Sequence, residues 1–240
     1  MTQKTAAVLG VGPTNGLGAA IAKRFAENGH HVFIGGRTEA QLNEVAEALR
    51  PVGTFTPVVT DATDEQSVKA FFDQASGGGQ LDAAIYNAGN NRPGKIRDME
   101  ADYFEGAWRV GCFGGFLFGR EAINRMLPAG GALIFTGASA SLRGRSGFGA
   151  FNSAKAALRT MAQAMSKEYG PEGLHVAHVI VDGGIAGDKI IKGVPQLVEA
   201  RGMDGLIDLD GLADAYWYLY QQSPQSWSFE LDLRTYKENW

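Results

Sequence analysis

The fold of this chain is decided near its N-terminus, where residues 10–18 read Gly10-Val11-Gly12-Pro13-Thr14-Asn15-Gly16-Leu17-Gly18. A strand-length apolar run at residues 6–11 leads into this stretch, and apolar residues recur at helical spacing over residues 16–28. Glycines between a strand and a helix let an anion approach the backbone N–H groups at the helix N-terminus. A strict G-x-G-x-x-G has glycine at position 15, where this chain has asparagine, and an ordinary tight turn is the alternative. We interpret the turn as a pyrophosphate site with five candidate residues: Gly12, Asn15, Gly16, Leu17 and Gly18.

Strand-like and helix-like segments alternate along the rest of the chain. Apolar runs of strand length lie at residues 31–34, 55–59, 81–86, 132–135, 174–181 and 228–233. Helical spacing is found at residues 39–49, 64–75, 99–126, 148–169 and 209–220. This alternation predicts right-handed crossovers and a parallel sheet covered by helices on both faces. No linker or repeat interrupts the pattern, so we predict one doubly wound α/β domain over residues 1–240.

Composition limits the other classes of protein. The 33 glycines have no three-residue period and only 8 prolines accompany them, which excludes a collagen-like chain or a low-complexity linker. A net charge of −4, without a Lys/Arg run, argues against nucleic-acid binding. One cysteine allows no intrachain disulfide, and the longest uncharged apolar stretch is far shorter than the ~20 residues of a membrane span. We expect no metal site, no nucleic-acid or membrane partner, and a cytoplasmic location.

The residues that follow the second, third and fourth strands predict which dinucleotide the turn binds. An acidic residue at the tip of the second strand would bind the ribose 2′-hydroxyl of NAD, but the chain has Gly35-Gly36-Arg37-Thr38 there. The Arg37 guanidinium suits a 2′-phosphate, so we predict NADP(H) in preference to NAD(H), with a solvated loop cation as the alternative. The other candidate cofactor-binding residues are Asp61 and Ala62, at the adenine edge, and Asn87, Ala88 and Gly89 after the fourth strand.

Together with Lys155 in the helical segment 148–169, these motifs resemble the short-chain dehydrogenase/reductase family over residues 5 to at least 190. The resemblance implies a Rossmann-type sheet of about seven strands, NAD(P)(H) binding with Lys155 at the ribose and Ile185 at the nicotinamide, and a homodimer or homotetramer. It also implies that residues 188–208 close over a small-molecule substrate, although they could equally form one helix packed on the domain. The tail, with Trp217, Trp227 and Trp240, is expected to be edge and interface material.

The chain departs from the catalytic pattern that this resemblance implies. The family uses a tyrosine four residues before the lysine, on the same helix face, so that the ammonium lowers the phenol pKa. Here that position is Phe151, and Ala138 and Gly111 stand where the family has a serine and an asparagine. Phenylalanine has no proton to donate. The chain therefore resembles a divergent subgroup that carries phenylalanine for tyrosine beside a retained lysine.

Two side chains are candidates for the missing chemistry. Ser139 lies one residue past the expected serine, although a loop hydroxyl bonded to backbone is the simpler interpretation. Lys155 could protonate an alkoxide if burial lowered its pKa, although gripping the ribose is its expected role. We therefore keep two hypotheses: an NADP(H)-dependent oxidoreductase acting on a carbonyl or alcohol, and a non-catalytic dinucleotide-binding protein that serves as a sensor or partner subunit.

Overall fold

The computed structural model describes residues 2–238, and its strands form one parallel sheet in the order β3-β2-β1-β4-β5-β6-β7. The strands are β1 (Lys4–Leu9), β2 (His31–Gly36), β3 (Phe55–Val59), β4 (Gln80–Tyr86), β5 (Gly131–Ala138), β6 (Leu174–Val181) and β7 (Glu230–Leu233). The helices are α1 (Leu17–Glu27), α2 (Glu39–Leu49), α3 (Glu65–Gly77), α4 (Ala101–Trp108), α5 (Gly114–Met126), α6 (Gly149–Tyr169), α7 (Asp188–Ile191), α8 (Pro195–Arg201) and α9 (Leu209–Gln221). The predicted doubly wound α/β class is confirmed.

The sheet is apolar on both faces because each face is covered by helices. In β1, Ala6 and Val8 point into a core shared with α1, α2 and α9. The alternate residues Ala7 and Leu9 point into a second core with α3, α5 and α6. Side chains alternate across a strand, so a strand buried on both faces carries a continuous apolar run rather than an alternating pattern. This is why the strands could be recognised as short apolar runs.

The boundaries differ from the sequence-based expectation at a few strand ends. β1 stops at Leu9 because Gly10 adopts a positive φ of 105°, which turns the chain out of the sheet. β5 is longer than predicted and runs through Ala138, and the last strand is shorter and starts at Glu230. Trp217 and Trp227 of the tail pack within the chain, against Phe25 and His175, whereas Trp240 lies outside the described residues.

The predicted long helix over residues 99–126 is interrupted by a π-helical turn, Arg109–Phe113, between α4 and α5. The Tyr86 hydroxyl, fully buried, donates a hydrogen bond of 2.5 Å to the carbonyl oxygen of Val110 in this turn. A π-helical turn shifts the backbone hydrogen bonds by one residue, and a buried side chain that satisfies a carbonyl there holds the turn in place. The turn therefore fixes how residues 109–113 face the neighbouring elements.

No helix within residues 2–238 is long and apolar enough to cross a membrane. In the same part of the chain, no group of three or more His, Cys, Asp or Glu side chains is arranged to hold a metal ion.

Candidate active site

The glycine turn lies at the carboxyl edge of the sheet, where β1 ends and α1 begins. A Cβ added at Gly12 would meet no protein atom within 4 Å, so the protein itself does not require glycine there. A Cβ at Gly18 would lie 2.7 Å from the Gly10 carbonyl oxygen, so that glycine serves the close packing of α1 on β1. The N-terminus of α1 has no side-chain cap. Open space beside uncapped backbone N–H groups fits a phosphate group.

Asn87, which directly follows the neighbouring strand β4, stabilises the glycine turn with a hydrogen bond. Its side-chain amide donates a hydrogen bond of 2.9 Å to the carbonyl oxygen of Gly10. A Cβ at Gly10 would lie 2.3 Å from the backbone nitrogen of Ala88, so the two loops touch through backbone atoms. The predicted Asn87-Ala88-Gly89 segment is thus placed next to the glycine turn, and Asn87 acts on the turn directly.

A cavity of about 650 Å³ opens along this edge. Seven of the predicted cofactor-binding residues line its walls: Gly12, Arg37, Asp61, Ala62, Asn87, Ala88 and Gly89. Asn15, Gly16, Leu17 and Gly18 lie in the turn and at the start of α1 but are not part of these walls, and the same holds for Lys155, Ser139 and Ile185. The structure therefore brings the predicted adenosine-side residues together in one cavity.

Arg37 and Asp61 set the charge at one end of the cavity, and both are exposed. One Asp61 carboxylate oxygen accepts hydrogen bonds of 2.8 Å from the backbone N–H and the hydroxyl of Thr63. These bonds lower the pKa of Asp61, and the charges of Arg37 and Arg109 lower it further. Asp61 is therefore ionised at neutral pH. Its hydrogen bonds close the turn at residues 61–63, and these residues line one end of the cavity.

α4 and the π-helical turn contribute to the cavity residues that were not predicted from the sequence. Asp102, Tyr103, Arg109 and Val110 all line it. Nothing in the local sequence sets them apart from an ordinary amphipathic helix, because their role depends on how α4 lies beside the cavity. A basic residue next to an expected catalytic position, as in Arg109-Val110-Gly111, was the one available signal.

Lys155 is buried on α6, at the same edge of the sheet. Its Nζ donates a hydrogen bond of 2.7 Å to the carbonyl oxygen of Thr136 in β5. The Nζ also lies 3.5 Å from where a Cβ on Gly89 would be, which places it beside the residues that follow β4. Burial lowers the Lys155 pKa to about 8, with a smaller contribution from the charge of Lys189. The other two N–H groups of the ammonium form no hydrogen bond within residues 2–238.

Phe151, Gly111 and Ala138 occupy the three positions at which the resemblance leads us to expect catalytic side chains. The Lys155 Nζ is 5.9 Å from the centroid of the half-buried Phe151 ring. Gly111 packs against α6, where a Cβ on residue 111 would lie 2.6 Å from the Cβ of Ala154. Ala138 ends β5 and offers only backbone groups for hydrogen bonding. The close contact between Gly111 and Ala154 gives the glycine a packing role that the sequence did not indicate.

Ser141, not Ser139, is the serine that the structure ties into a polar network after β5. Its hydroxyl accepts a hydrogen bond of 3.2 Å from the Ala138 N–H and lies 3.4 Å from the Nε2 of buried His178. The His178 Nδ1 bonds the Glu230 carboxylate at 3.0 Å, and burial lowers the His178 pKa to about 4. Ser139 is half-buried in a short 3₁₀ turn, Ser139–Ser141. Its position beside Ala138 leaves it a candidate residue.

The segment after β6 packs on the glycine turn and forms two short helices, α7 and α8, rather than one helix. The Asn15 side chain donates a hydrogen bond of 3.1 Å to Asp188, and the Asp188 N–H donates one of 2.8 Å to the Asn15 carbonyl oxygen. Ile185 forms an isolated parallel bridge with Ile207, and its carbonyl oxygen accepts from the Gly187 N–H. These contacts place residues 185–188 next to the turn.

Comparison with known proteins agrees with this geometry. A family model described as short chain dehydrogenase matches residues 4–188. The chain is 32% identical over 179 residues to an uncharacterized oxidoreductase, YxbG, of Bacillus subtilis (strain 168), and the match covers 73% of this chain and 65% of that protein. It is 31% identical over 193 residues to a cis-4-hydroxycyclohexanecarboxylate dehydrogenase of Sinomonas cyclohexanicum, covering 79% of this chain and 76% of that enzyme.

The solved structures agree as well. A short-chain dehydrogenase from Rhodopseudomonas palustris superposes with a TM-score of 0.82 at 36% identity, covering 97% of this chain and 99% of that one. The family model spans residues 4–188 and so includes the glycine turn, Lys155 and all of α6, which means that the agreement is not limited to a single motif. The family model and these relatives show that the chain belongs to the short-chain dehydrogenase family, whose members similar to it include oxidoreductases.

Proposed function

We propose that this protein is an NADP(H)-dependent oxidoreductase that acts on a carbonyl or alcohol substrate with an incomplete set of catalytic side chains. The observation that carries the proposal is the cavity that joins the glycine turn to Arg37 and to the residues after β3 and β4. The space left open beside Gly12, next to the uncapped start of α1, fits a pyrophosphate.

In this proposal, each group of residues around the site contacts a different part of the dinucleotide. The turn holds the pyrophosphate through Gly12, Asn15, Gly16, Leu17 and Gly18. Arg37 binds the 2′-phosphate, Asp61 and Ala62 meet the adenine, and Ala88 and Gly89 face the ribose side. Lys155 grips the nicotinamide ribose, and Ile185 supports the nicotinamide through its backbone.

When bound, NADPH would donate a hydride to a carbonyl carbon, or NADP⁺ would accept one from an alcohol carbon, while the protein's own residues would orient the reactants and transfer the proton. Phe151 and Ala138 cannot give or take a proton. The candidate proton donors are Lys155 Nζ, whose pKa burial lowers to about 8, and Ser139 Oγ. Residues 188–208 are proposed to close over the substrate. The homodimer or homotetramer and the cytoplasmic location stay predictions.

A panel of aliphatic, alicyclic and aromatic aldehydes and ketones tests the reaction. With NADPH, we expect slow but measurable oxidation of the cofactor, because loss of a general acid costs about 10²–10⁴ in rate and not all of it. The control is NADPH with protein and no carbonyl compound. Tight NADPH binding with no turnover of any compound at any pH would contradict the oxidoreductase and favour the non-catalytic dinucleotide-binding alternative.

Replacing Arg37 with alanine tests the cofactor preference. We expect wild-type protein to bind NADPH more tightly than NADH, and Arg37→Ala to weaken NADPH binding by about 10–100-fold, because a charge-assisted contact to a phosphate is lost. NADH binding should change little. Tryptophan fluorescence titrated with each dinucleotide measures both affinities. Exposed Arg50 on the segment after α2 does not line the cavity and provides the matched control, Arg50→Ala.

Tighter binding of NADH by the wild-type protein would contradict the assignment of Arg37 to a 2′-phosphate. An equal loss for both dinucleotides in Arg37→Ala would do the same, since it would show that the guanidinium acts on a part that the two cofactors share.

A further inference from the structure

Arg109 is an exposed cation on a wall of the cavity that Arg37 does not occupy. Arg37 follows β2, whereas Arg109 begins the π-helical turn after α4. Both side chains line the cavity, and the positive charge of each lowers the pKa of Asp61. The two guanidinium groups therefore approach one end of the cavity from different elements.

The surroundings of Arg109 hold its guanidinium at the turn that follows β3. The Nη2 atom donates a hydrogen bond of 3.4 Å to the carbonyl oxygen of Thr63, and the group lies 5.0 Å from the centroid of the Phe113 ring. Thr63 follows Asp61 and Ala62, the residues proposed to meet the adenine. Arg109 is thus placed beside the turn that carries these two residues.

The backbone beneath Arg109 is fixed from the core. The Tyr86 hydroxyl bonds the carbonyl oxygen of Val110, one residue along the π-helical turn. Within residues 2–238, Arg109 forms no ion pair with a carboxylate: its guanidinium donates to the Thr63 carbonyl oxygen, and the Asp61 carboxylate accepts its hydrogen bonds from Thr63. The exposed guanidinium lies over the Phe113 ring, and no second aromatic ring within residues 2–238 contacts it, so a heteroaromatic ring can stack on its other side.

We propose that Arg109 binds the adenine ring of the dinucleotide, so that the adenosine end is held by two arginines with different tasks. This inference rests on the proposed function, because it requires the cavity to bind a dinucleotide. Adenine is common to NADPH and NADH, so Arg109 contributes to the affinity for both, whereas Arg37 distinguishes between them.

Titration of Arg109→Ala and Arg109→Lys with NADPH and NADH tests the assignment. We expect Arg109→Ala to raise the Kd for both dinucleotides by a similar factor of about ten, as lost stacking of a guanidinium predicts. Arg109→Lys keeps the charge but loses the planar group, and we expect it to remain impaired for both. Arg50→Ala is the control for loss of an exposed arginine, and thermal denaturation of each variant shows whether it folds.

Each outcome decides one question. Unchanged affinities in Arg109→Ala would overturn the inference and leave the proposed function intact. A loss confined to NADPH would place Arg109 at the 2′-phosphate, and full recovery in Arg109→Lys would show that charge alone is needed; either result overturns the ring contact. Tighter NADH binding by wild type, with equal losses in Arg109→Ala, would instead reject the proposed NADP preference and support Arg109. If wild type binds neither dinucleotide, both proposals fail.

Discussion

Replacing Phe151 with tyrosine is expected to raise NADPH-dependent carbonyl reduction by about 10²–10⁴-fold, the usual contribution of a positioned general acid. Residue 151 lies one helical turn before Lys155 in α6, and the Lys155 Nζ is 5.9 Å from the ring centroid. A phenol added at the far edge of the ring would lie in the field of this ammonium. An adjacent cation favours the ionised phenol and lowers its pKa toward the working range.

The measurement is kcat and KM over the carbonyl panel for wild type, Phe151→Tyr and the double variant Phe151→Tyr/Ala138→Ser. Phe116→Tyr on α5 adds a hydroxyl to an exposed ring and serves as the matched control. A Phe151→Tyr variant that folds, binds NADPH as wild type does and shows no increase in kcat would contradict the idea that the site lacks only its acid.

The second large effect is expected from Lys155→Met, which should stabilise the protein while weakening cofactor binding. Burial lowers the Lys155 pKa from 10.5 to about 8, which corresponds to about 3 kcal/mol against the charged form at 1.36 kcal/mol per pKa unit. The hydrogen bond to Thr136 stabilises the folded protein by about 1 kcal/mol. Replacing the lysine with a buried methionine of similar length should therefore raise the free energy of unfolding by about 2 kcal/mol. For a chain of this size that is a rise in Tm of about 5 °C.

The same variant should lose about 10²-fold in NADPH affinity, because the proposed function assigns to Lys155 charged hydrogen bonds to the ribose that methionine cannot form. Wild-type affinity should fall as pH rises through about 8, where Lys155 loses its proton, and Lys155→Met should show no such fall. The folded-state pKa is lowered, so between about pH 8 and 10.5 the unfolded chain binds more protons and the Lys155 contribution to stability rises with pH.

Thermal denaturation and fluorescence titration over this pH range check both halves of the prediction. Lys167 lies on the same helix and is exposed, so Lys167→Met should change neither Tm nor affinity appreciably. A lower Tm for Lys155→Met would show that the lysine is retained for packing or hydrogen bonding rather than for a ligand.

The order of the elements could be predicted from the sequence because the helices on both faces leave clear patterns. Strands such as β1 are buried on both sides and so read as apolar runs, while α1 and α2 keep an apolar stripe at helical spacing. Strand ends were less predictable, since Gly10 ends β1 through its positive φ and nothing in the residue type alone fixes that angle.

The candidate site was predictable where a motif is local in sequence, and not where it depends on packing. Gly12, Asn87 and the residues after β3 could be placed because strand ends meet at one edge of a parallel sheet. Arg109 could not, because its place in the cavity depends on the interruption of a helix by a turn that Tyr86 holds from another strand. From the sequence, Gly111 was notable only because it stands where the family has an asparagine, whereas the structure shows its contact with Ala154.

That contact between two helices has an evolutionary consequence. Position 111 cannot accept a larger residue without another change, because the Cβ of that residue would lie 2.6 Å from the Cβ of Ala154. The next atom of Ala154 is 3.7 Å away, so trimming residue 154 to glycine would open the space. A lineage that acquires an asparagine at position 111 must therefore change residue 154 before or together with residue 111.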